Sequence, residues 1–348
     1  MIERMEEGNN RPIFVVGSPR SGTSILTWCL GQHPNIFPVP ESNWMGDFAV
    51  HVAVAYQVGA GRGDRSILSA MDIGEDELFA AFGQKINGLI LRHRRDLERK
   101  RQSKTPAGIT GRWVRGRNAD CEPKARWADG TPEYSLFIYA LRKLFPQARF
   151  VHIFREVGEV VRSMLNFHRI AGTHLVANEE QAYKYWFRTV KACFKAEEAY
   201  GPTVVYRIRY ADLIKDPEAA MRSVLDFLDE PYCAQCLEPL SERINSSNVP
   251  LDFTIGDSTV NPLVLEKAMR LCRQVNEASS SPRISSVAAA AMETAFRQRV
   301  RHMAGVDTAY KKMRELVKKL NPSALVLCAM THAALAIGAP AVTLSQLS

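Results

Sequence analysis

The sequence predicts an α/β protein: a doubly wound sheet of parallel strands, with helical insertions and a helical C-terminal region. Three observations predict it. First, short apolar runs at 12–17, 149–154 and 203–208 alternate with longer segments of helical periodicity. Strands separated by amphipathic helices form parallel βαβ units with helices on both faces. Second, the run Ile13-Phe14-Val15-Val16 stops at Gly17 and passes through a loop rich in Gly, Ser and Thr into an apolar-periodic segment, Ile25 to Leu30. That strand, loop and helix start is the frame of a phosphate-binding loop, and the fold it implies is P-loop NTPase-like. Third, the run Phe150 to Phe154 ends on Arg155 at the start of another helical pattern. Ligands of such sheets sit at the carboxyl ends of the strands.

Along the chain, residues 17–24, GSPRSGTS, come first. Gly17 and Gly22 accept backbone angles that crowd other residues. The amides from Arg20 to Ser24 then point at one anion, at the positive end of a helix expected over 23–32. Pro19 has no amide to donate and stiffens the loop. Gly17, Ser18, Pro19, Arg20, Ser21, Gly22, Thr23 and Ser24 are the candidate anion-binding residues. The usual nucleotide triphosphatase pattern places Lys after the second Gly. Here Thr23 stands there, and the cation comes earlier, at Arg20. The loop therefore suits an anion other than a β/γ-phosphate pair, with less need for Mg²⁺, and no metal is expected.

The next segment, PNIFPVPESNW, carries Pro34, Pro38 and Pro40, which keep it extended and able to cross the mouth of the loop. It brings in Glu41, either as a helix N-terminal acid ahead of Trp44 or as a carboxylate beside Arg20, held ionised by that neighbour. Helical patterns over 43–58 and 75–102 follow, and residues 43–125 are read as a helical insertion. Its basic run from Arg92 to Lys104 is a solvated helix face, or a lid or surface for an acidic acceptor. A helix is expected over 134–145, then the strand that ends on Arg155. The pattern 157–169 is helical and carries Ser163, eight residues past Arg155 and about 12 Å of rise at most. Helical side chains lean toward the N-terminus. Arg155 and Ser163 thus converge on one anion at that helix start, the first with a planar fork and the second with a hydroxyl. Helices over 178–199, 216–228, 263–277, 287–303 and 308–320 complete the body.

The 348 residues suffice for one large domain, set at 1–320, with an apolar tail at 321–348. A net charge of +8 favours anionic ligands without choosing among them. Seven scattered cysteines, an odd number, argue against a disulfide scaffold and for a reducing, cytoplasmic setting. Cys233 and Cys236 form a lone C-x-x-C with no second pair, read as two incidental thiols and not as a zinc site. The opening MIERMEEGNNRP holds no apolar run of a secretory signal. The tail, NPSALVLCAMTHAALAIGAPAVTLSQLS, is nearly uncharged. It reads as a helix packed on the body or at a homodimer contact, as a membrane contact, or as loosely ordered chain. With no internal repeat and no aromatic-interleaved RNA-binding signature, no nucleic-acid partner is expected.

Together the two strand ends resemble the sulfotransferases that use 3′-phosphoadenosine 5′-phosphosulfate (PAPS). GSPRSGTS at 17–24 resembles that family's 5′-phosphosulfate loop, and the R-x₇-S spacing of Arg155 and Ser163 resembles its 3′-phosphate motif. The stretch from Trp127 to Arg155 is similar to the family's run from a Thr-Pro turn to that motif, and RYADLIKDP at 209–217 to its Tyr-x-Asp-Leu segment. The likeness covers roughly 12–230, with four elements in the family's order. It departs at Gly130, where the family often has Lys, and after about 235, where no clear loop for the nucleotide's outer contacts is found.

The resemblance implies sulfuryl transfer from PAPS, as cosubstrate, to a hydroxyl acceptor, without metal. Charge in such a reaction spreads over equatorial oxygens with nucleophile and leaving group in line, so positioning and electrostatics do most of the work. Arg20 is the expected catalytic cation on the leaving phosphate, aided by the loop amides, Thr23 and Ser24. Some branches of the family carry a Glu base shortly after the loop helix, and Glu41 matches that place; His51 and His168 are the rival bases. Tyr210 falls where the family's Tyr approaches the adenine, and Trp127 is a second candidate for that contact. The acceptor class stays open among glycan, lipid, phenol and peptide tyrosine. The alternatives are a P-loop nucleotide-dependent kinase, which needs Mg²⁺-binding carboxylates at a strand end, and a non-catalytic nucleotide-binding protein. After the loop only Asp212 weakly resembles an apolar strand ending in Asp.

Overall fold

β1 (Ile13–Val16) stands at the middle of a five-stranded parallel sheet. The structure, a computed structural model, describes residues 11–103, 125–241, 249–250, 252–278 and 284–320. The basic loop GITGRWVRGRNAD and the tail 321–348 lie outside the described residues. All four residues of β1 are buried, as a parallel strand covered on both faces requires. Phe14 and Val16 enter one apolar core, Ile13 and Val15 the other, which is the alternation of a pleated strand. The remaining strands are β2 (Ile36–Pro38), β3 (Arg126–Asp129), β4 (Arg149–Phe154) and β5 (Val205–Arg209), in the order β2-β3-β1-β4-β5. β2 and β3 build on one side of β1, and β4 and β5 on the other. The carboxyl end of β1 is therefore the switch point where a ligand crevice opens.

Helices wrap both faces. In chain order they are α1 (Thr23–Gly31), α2 (Met45–Ala60), α3 (Ile67–Ala70), α4 (Glu75–Ser103), α5 (Ile138–Leu144) and α6 (Val157–Leu165). Then come α7 (His168–Ala171), α8 (Glu179–Tyr200), α9 (Tyr210–Lys215), α10 (Pro217–Phe227), α11 (Pro262–Glu277) and α12 (Ser286–Leu320). Ala49, Phe79, Ile138, Cys193 and Phe296 bring α2, α4, α5, α8 and α12 onto the Phe14 face. Leu26, Leu213 and Met221 bring α1, α9 and α10 onto the Ile13 face. None of the helices among the described residues is long and apolar enough to cross a membrane.

Several boundaries differ from the sequence reading. β2 and β3 were not expected as strands: one is three residues long and ends in Pro, the other opens on Arg126 and closes on Asp129. Each charge in β3 is matched by groups outside the strand. Arg126 is buried; its Nε donates to Arg11 O at 2.8 Å and its Nη1 to Leu228 O at 2.6 Å and to Glu230 Oε1 at 3.0 Å. Arg126→Ala would leave the buried Glu230 carboxylate with Asn35 as a neutral donor but without its arginine, and removing one partner of a buried pair costs about 3–5 kcal/mol. Urea denaturation should read that loss. The patterns 287–303 and 308–320 are one helix, α12. A glycine such as Gly305 costs a helix only about 1 kcal/mol relative to Ala, and Met303 and Ala304 pack against the core just before it. The pattern 134–145 divides into a 3₁₀ turn, Pro132–Leu136, and α5; the pattern 157–169 ends as α6 at Leu165.

Candidate active site

The loop after β1 is held from beneath. Gly17, at φ 155°, brings the chain so close to β4 that a Cβ would stand 2.6 Å from Ile153 O. Ser135 Oγ accepts from the Gly17 amide at 2.9 Å, and Ser21 N donates to Ser18 O at 3.0 Å. Ser18, Pro19, Ser21 and Thr23 are buried, whereas Arg20, Gly22 and Ser24 reach the surface. Gly22 is the N-cap of α1, in the left-handed region, and no side chain caps the helix. The first amides of a helix have no intrahelical acceptor, so this end is an anion site in the making.

Two guanidinium groups meet over the loop. Arg155 Nη1 donates to Arg20 O at 3.2 Å, and Arg20 Nε donates to Ser163 Oγ at 3.2 Å. Arg155 and Ser163 thus both engage Arg20, on the same side of the sheet as Gly17. Ser163, on a buried face of α6, accepts from Arg20, so Arg155 and Ser163 are brought together through that residue. Arg155 is further set by Glu159, which accepts from its Nε at 2.7 Å, and by Trp186, whose Nε1 donates to the Arg155 carbonyl at 3.1 Å. Its guanidinium lies 4.2 Å over the Tyr210 ring, and that ring fills the space where a Gly22 side chain would be. Lost hydration, then the charge of Arg155, push the Arg20 pKa below its ordinary value. Like charges held this close favour an anion between them.

The base candidate sits across the loop mouth. Ser24 Oγ donates to Glu41 Oε1 at 3.2 Å. Ser42, the next residue, is pinned: its amide donates to Thr131 Oγ1 at 2.9 Å and its hydroxyl to Asp129 Oδ2 at 2.8 Å. Thr131 in turn donates through N and Oγ1 to Asp129 Oδ1, at 2.9 and 2.6 Å. Burial pushes the Asp129 carboxyl up to about 6, against these donors. Glu41 is open to solvent on one side, yet enough protein surrounds it that lost hydration raises its pKa. Glu133 and Asp129 raise it further, while Ser24 and, more weakly, Arg20 lower it. Arg20 acts on this carboxylate in the expected direction, but burial and the neighbouring acids outweigh it and leave the pKa above its ordinary value.

The sulfotransferase family model matches residues 12–234, well over half of the chain. The chain belongs to the sulfotransferase family. Among curated relatives of this sulfotransferase, protein-tyrosine sulfotransferase A of Caenorhabditis elegans is 22% identical over 285 residues, covering 77% of this chain and 63% of that protein. The omega-hydroxy-beta-dihydromenaquinone-9 sulfotransferase of Mycobacterium tuberculosis is 31% identical over 104 residues, 28% of this chain and 27% of that protein. The chain thus spans under two thirds of the length of either. Among solved structures, the sulfotransferase domain of the Synechococcus PCC 7002 olefin synthase is 17% identical, covers 78% of this chain and 97% of that one, and gives a TM-score of 0.45.

Other residues of this sulfotransferase fall differently from the sequence reading. Trp127 is core: it is fully buried, donates from Nε1 to Asn87 Oδ1 at 2.8 Å, and meets Phe14 edge-on. It is not available to an adenine. His51 faces the Asp47 carbonyl of its own helix, and His168 stacks on His174. Asp129 supplies what the sequence reading did not find, an acidic residue ending a strand beside β1, but Thr131 and Ser42 occupy its oxygens. Gly130 has no room for a longer residue, since a Cβ would stand 2.2 Å from Thr27 Oγ1. The sequence reading found no outer loop after 235. Beyond that point two residues meet α6: Arg162 donates to Pro250 O at 3.3 Å, and Ile255 lies 3.6 Å from a Cβ built on Gly158. Among the described residues no group of His, Cys, Asp and Glu is arranged to hold a metal ion.

Proposed function

We propose that this sulfotransferase moves a sulfuryl group from PAPS to the hydroxyl of an acceptor, with Glu41 as general base and Arg20 as the cation on the leaving oxygen. One observation carries the reading: at the uncapped start of α1, Arg20 is joined by hydrogen bonds to Arg155 and Ser163 on one side, and Ser24 holds Glu41 on the other. Two adjacent guanidinium groups, a buried hydroxyl and free helix amides suit a ligand with two separate anionic groups. The donor supplies the sulfuryl group and departs with the electron pair of the broken S–O bond on its 5′-phosphate oxygen. Glu41 takes the proton of the acceptor hydroxyl as its oxygen bonds to sulfur. Arg20 meets charge that grows on the departing oxygen, so its hold is stronger in the transition state than before it. Arg155 and Ser163 belong to the 3′-phosphate, and Tyr210, stacked under Arg155, lies on the nucleotide side.

Thermal unfolding tests the donor. Adenosine 3′,5′-bisphosphate at 100 times its Kd should stabilise the protein by about 2.7 kcal/mol, and ATP with Mg²⁺ should shift it far less. The reverse order would favour a kinase, and no shift with either would point away from both. Gly22→Ala is the structural control. It forces a side chain into φ 107° and to 2.7 Å from Tyr210 Cδ2, a strain of about 1–3 kcal/mol. It should lower the urea midpoint and weaken the bisphosphate together. A transfer assay with labelled PAPS and a panel of glycan, lipid, phenol and peptide-tyrosine acceptors then identifies the acceptor.

A further inference from the structure

A cleft of about 240 Å³ lies between α8, α12 and the turn that leads into α5. Its floor is apolar, with Phe137 and Phe296, and its lining carries four cations, Arg188, Lys191, Lys195 and Arg299. On α8, Arg188, Lys191 and Lys195 follow the i, i+3, i+7 spacing of one helix face. They extend over about 10 Å at 1.5 Å per residue. Arg299 arrives from α12 and stands 4.2 Å over the Phe137 ring. Among the described residues no carboxylate lies within ion-pair distance, 4.0 Å, of any of the four. Lost hydration pushes the Arg299 pKa down; Asp47 opposes this, and Arg188 adds to it more weakly. Four like charges around a partly desolvated apolar floor repel one another, and an anion resting there relieves that repulsion.

The cleft adjoins the base. Phe137 packs so tightly on the start of α2 that a Cβ on Gly46 would stand 2.5 Å from its ring, five residues past Glu41. Tyr185, under the Arg188 guanidinium at 5.3 Å, donates its hydroxyl at 2.7 Å to Glu133, whose charge raises the Glu41 carboxyl. The Arg188 end is therefore linked through Tyr185 to Glu133, an acid that acts on Glu41, and Lys191 and Lys195 follow one and two turns further along α8. α12, which supplies Phe296 and Arg299, lies outside the residues 12–234 that the family model matches.

We propose that this cleft is the acceptor subsite, and that the acceptor is a small anionic amphiphile: a hydroxyl at one end, an apolar body, and an anionic group at the other. The apolar body lies on Phe137 and Phe296, the anionic group reaches Lys191 and Lys195, and the hydroxyl points to Glu41. The hydroxyl rests on the sulfotransferase reading; the anionic group rests on the cleft alone.

The test compares 10-hydroxydecanoate with 1,10-decanediol, two ligands of like length that differ in one terminal charge. Titration calorimetry without donor should show the hydroxyacid binding the wild type at least tenfold more tightly than the diol. The double variant Lys191→Glu, Lys195→Glu should lose that preference while keeping its affinity for adenosine 3′,5′-bisphosphate. Lys191→Gln, Lys195→Gln serves if charge reversal disturbs folding, and should lose most of the preference. Equal affinity for the two ligands in the wild type, binding of neither, or a preference that survives both double variants would overturn the proposal. Failure of the bisphosphate to bind, with the hydroxyacid preference present and lost on substitution, would sink the sulfotransferase reading and leave the anionic cleft standing.

Discussion

Arg20→Ala is expected to lower kcat by about 10²–10³-fold, the cost of removing one donor from a site of developing charge, while the protein stays folded. Arg20 occupies φ 71°. Alanine carries the same Cβ, so it adds no backbone strain that arginine does not already bear. What disappears is the guanidinium itself, which lies 5.1 Å over the Phe167 ring and reaches Ser163 Oγ. Arg155 remains near by and keeps part of the anion's attraction, so the affinity for adenosine 3′,5′-bisphosphate should fall less than kcat does. Arg20→Lys restores a charge without the planar fork and should recover only part of the rate. Single-turnover transfer with saturating PAPS, beside a melting curve for each variant, measures this. Full turnover in Arg20→Ala would remove the leaving-group role.

The residues that were legible in the sequence are those whose neighbours in the chain state their purpose. An apolar run broken by Gly17, or ended by Arg155, marks a strand end without any partner in view, and Arg20 and Ser24 come with the same loop. β3 was not legible, because RWAD becomes a strand only once Leu228 O and Glu230 satisfy its arginine and Thr131 and Ser42 satisfy its aspartate. Two of those partners lie a hundred residues away. The upward shift of the Glu41 carboxyl was not legible for a related reason. Its proximity to Arg20 follows from the local chain, but the acids that oppose Arg20 arrive with β3 and the turn after it. Ser163 likewise follows the R-x₇-S spacing, yet which arginine it serves depends on how α6 leans over the loop. The cleft beside α8 has no sequence signature, since α5, α8 and α12 meet only in the folded protein.

Glu41→Gln is expected to lower kcat/KM by about 10²–10⁴-fold, the range that a positioned general base contributes. Glutamine keeps an acceptor for the Ser24 hydroxyl, and Ser42 still anchors the segment to Asp129 and Thr131. Bisphosphate affinity should therefore hold while proton transfer is lost. The pH profile separates a base from a mere contact. A base works when deprotonated, and the Glu41 carboxyl is raised above its ordinary value by burial, with Glu133 and Asp129 adding to it. The wild-type rate should thus rise with pH through a midpoint above 4.5, then level off. Glu133→Gln removes one of the acids that raise Glu41 but keeps an acceptor for the Tyr185 hydroxyl. Its acid limb should move to lower pH, with the plateau rate little changed, because only the proton affinity of the base has shifted. In Glu41→Gln the limb should vanish from the residual rate. An acid limb that persists unchanged in Glu41→Gln would assign the base elsewhere, and one that stays put in Glu133→Gln would show that Glu133 has no part in setting the Glu41 proton affinity.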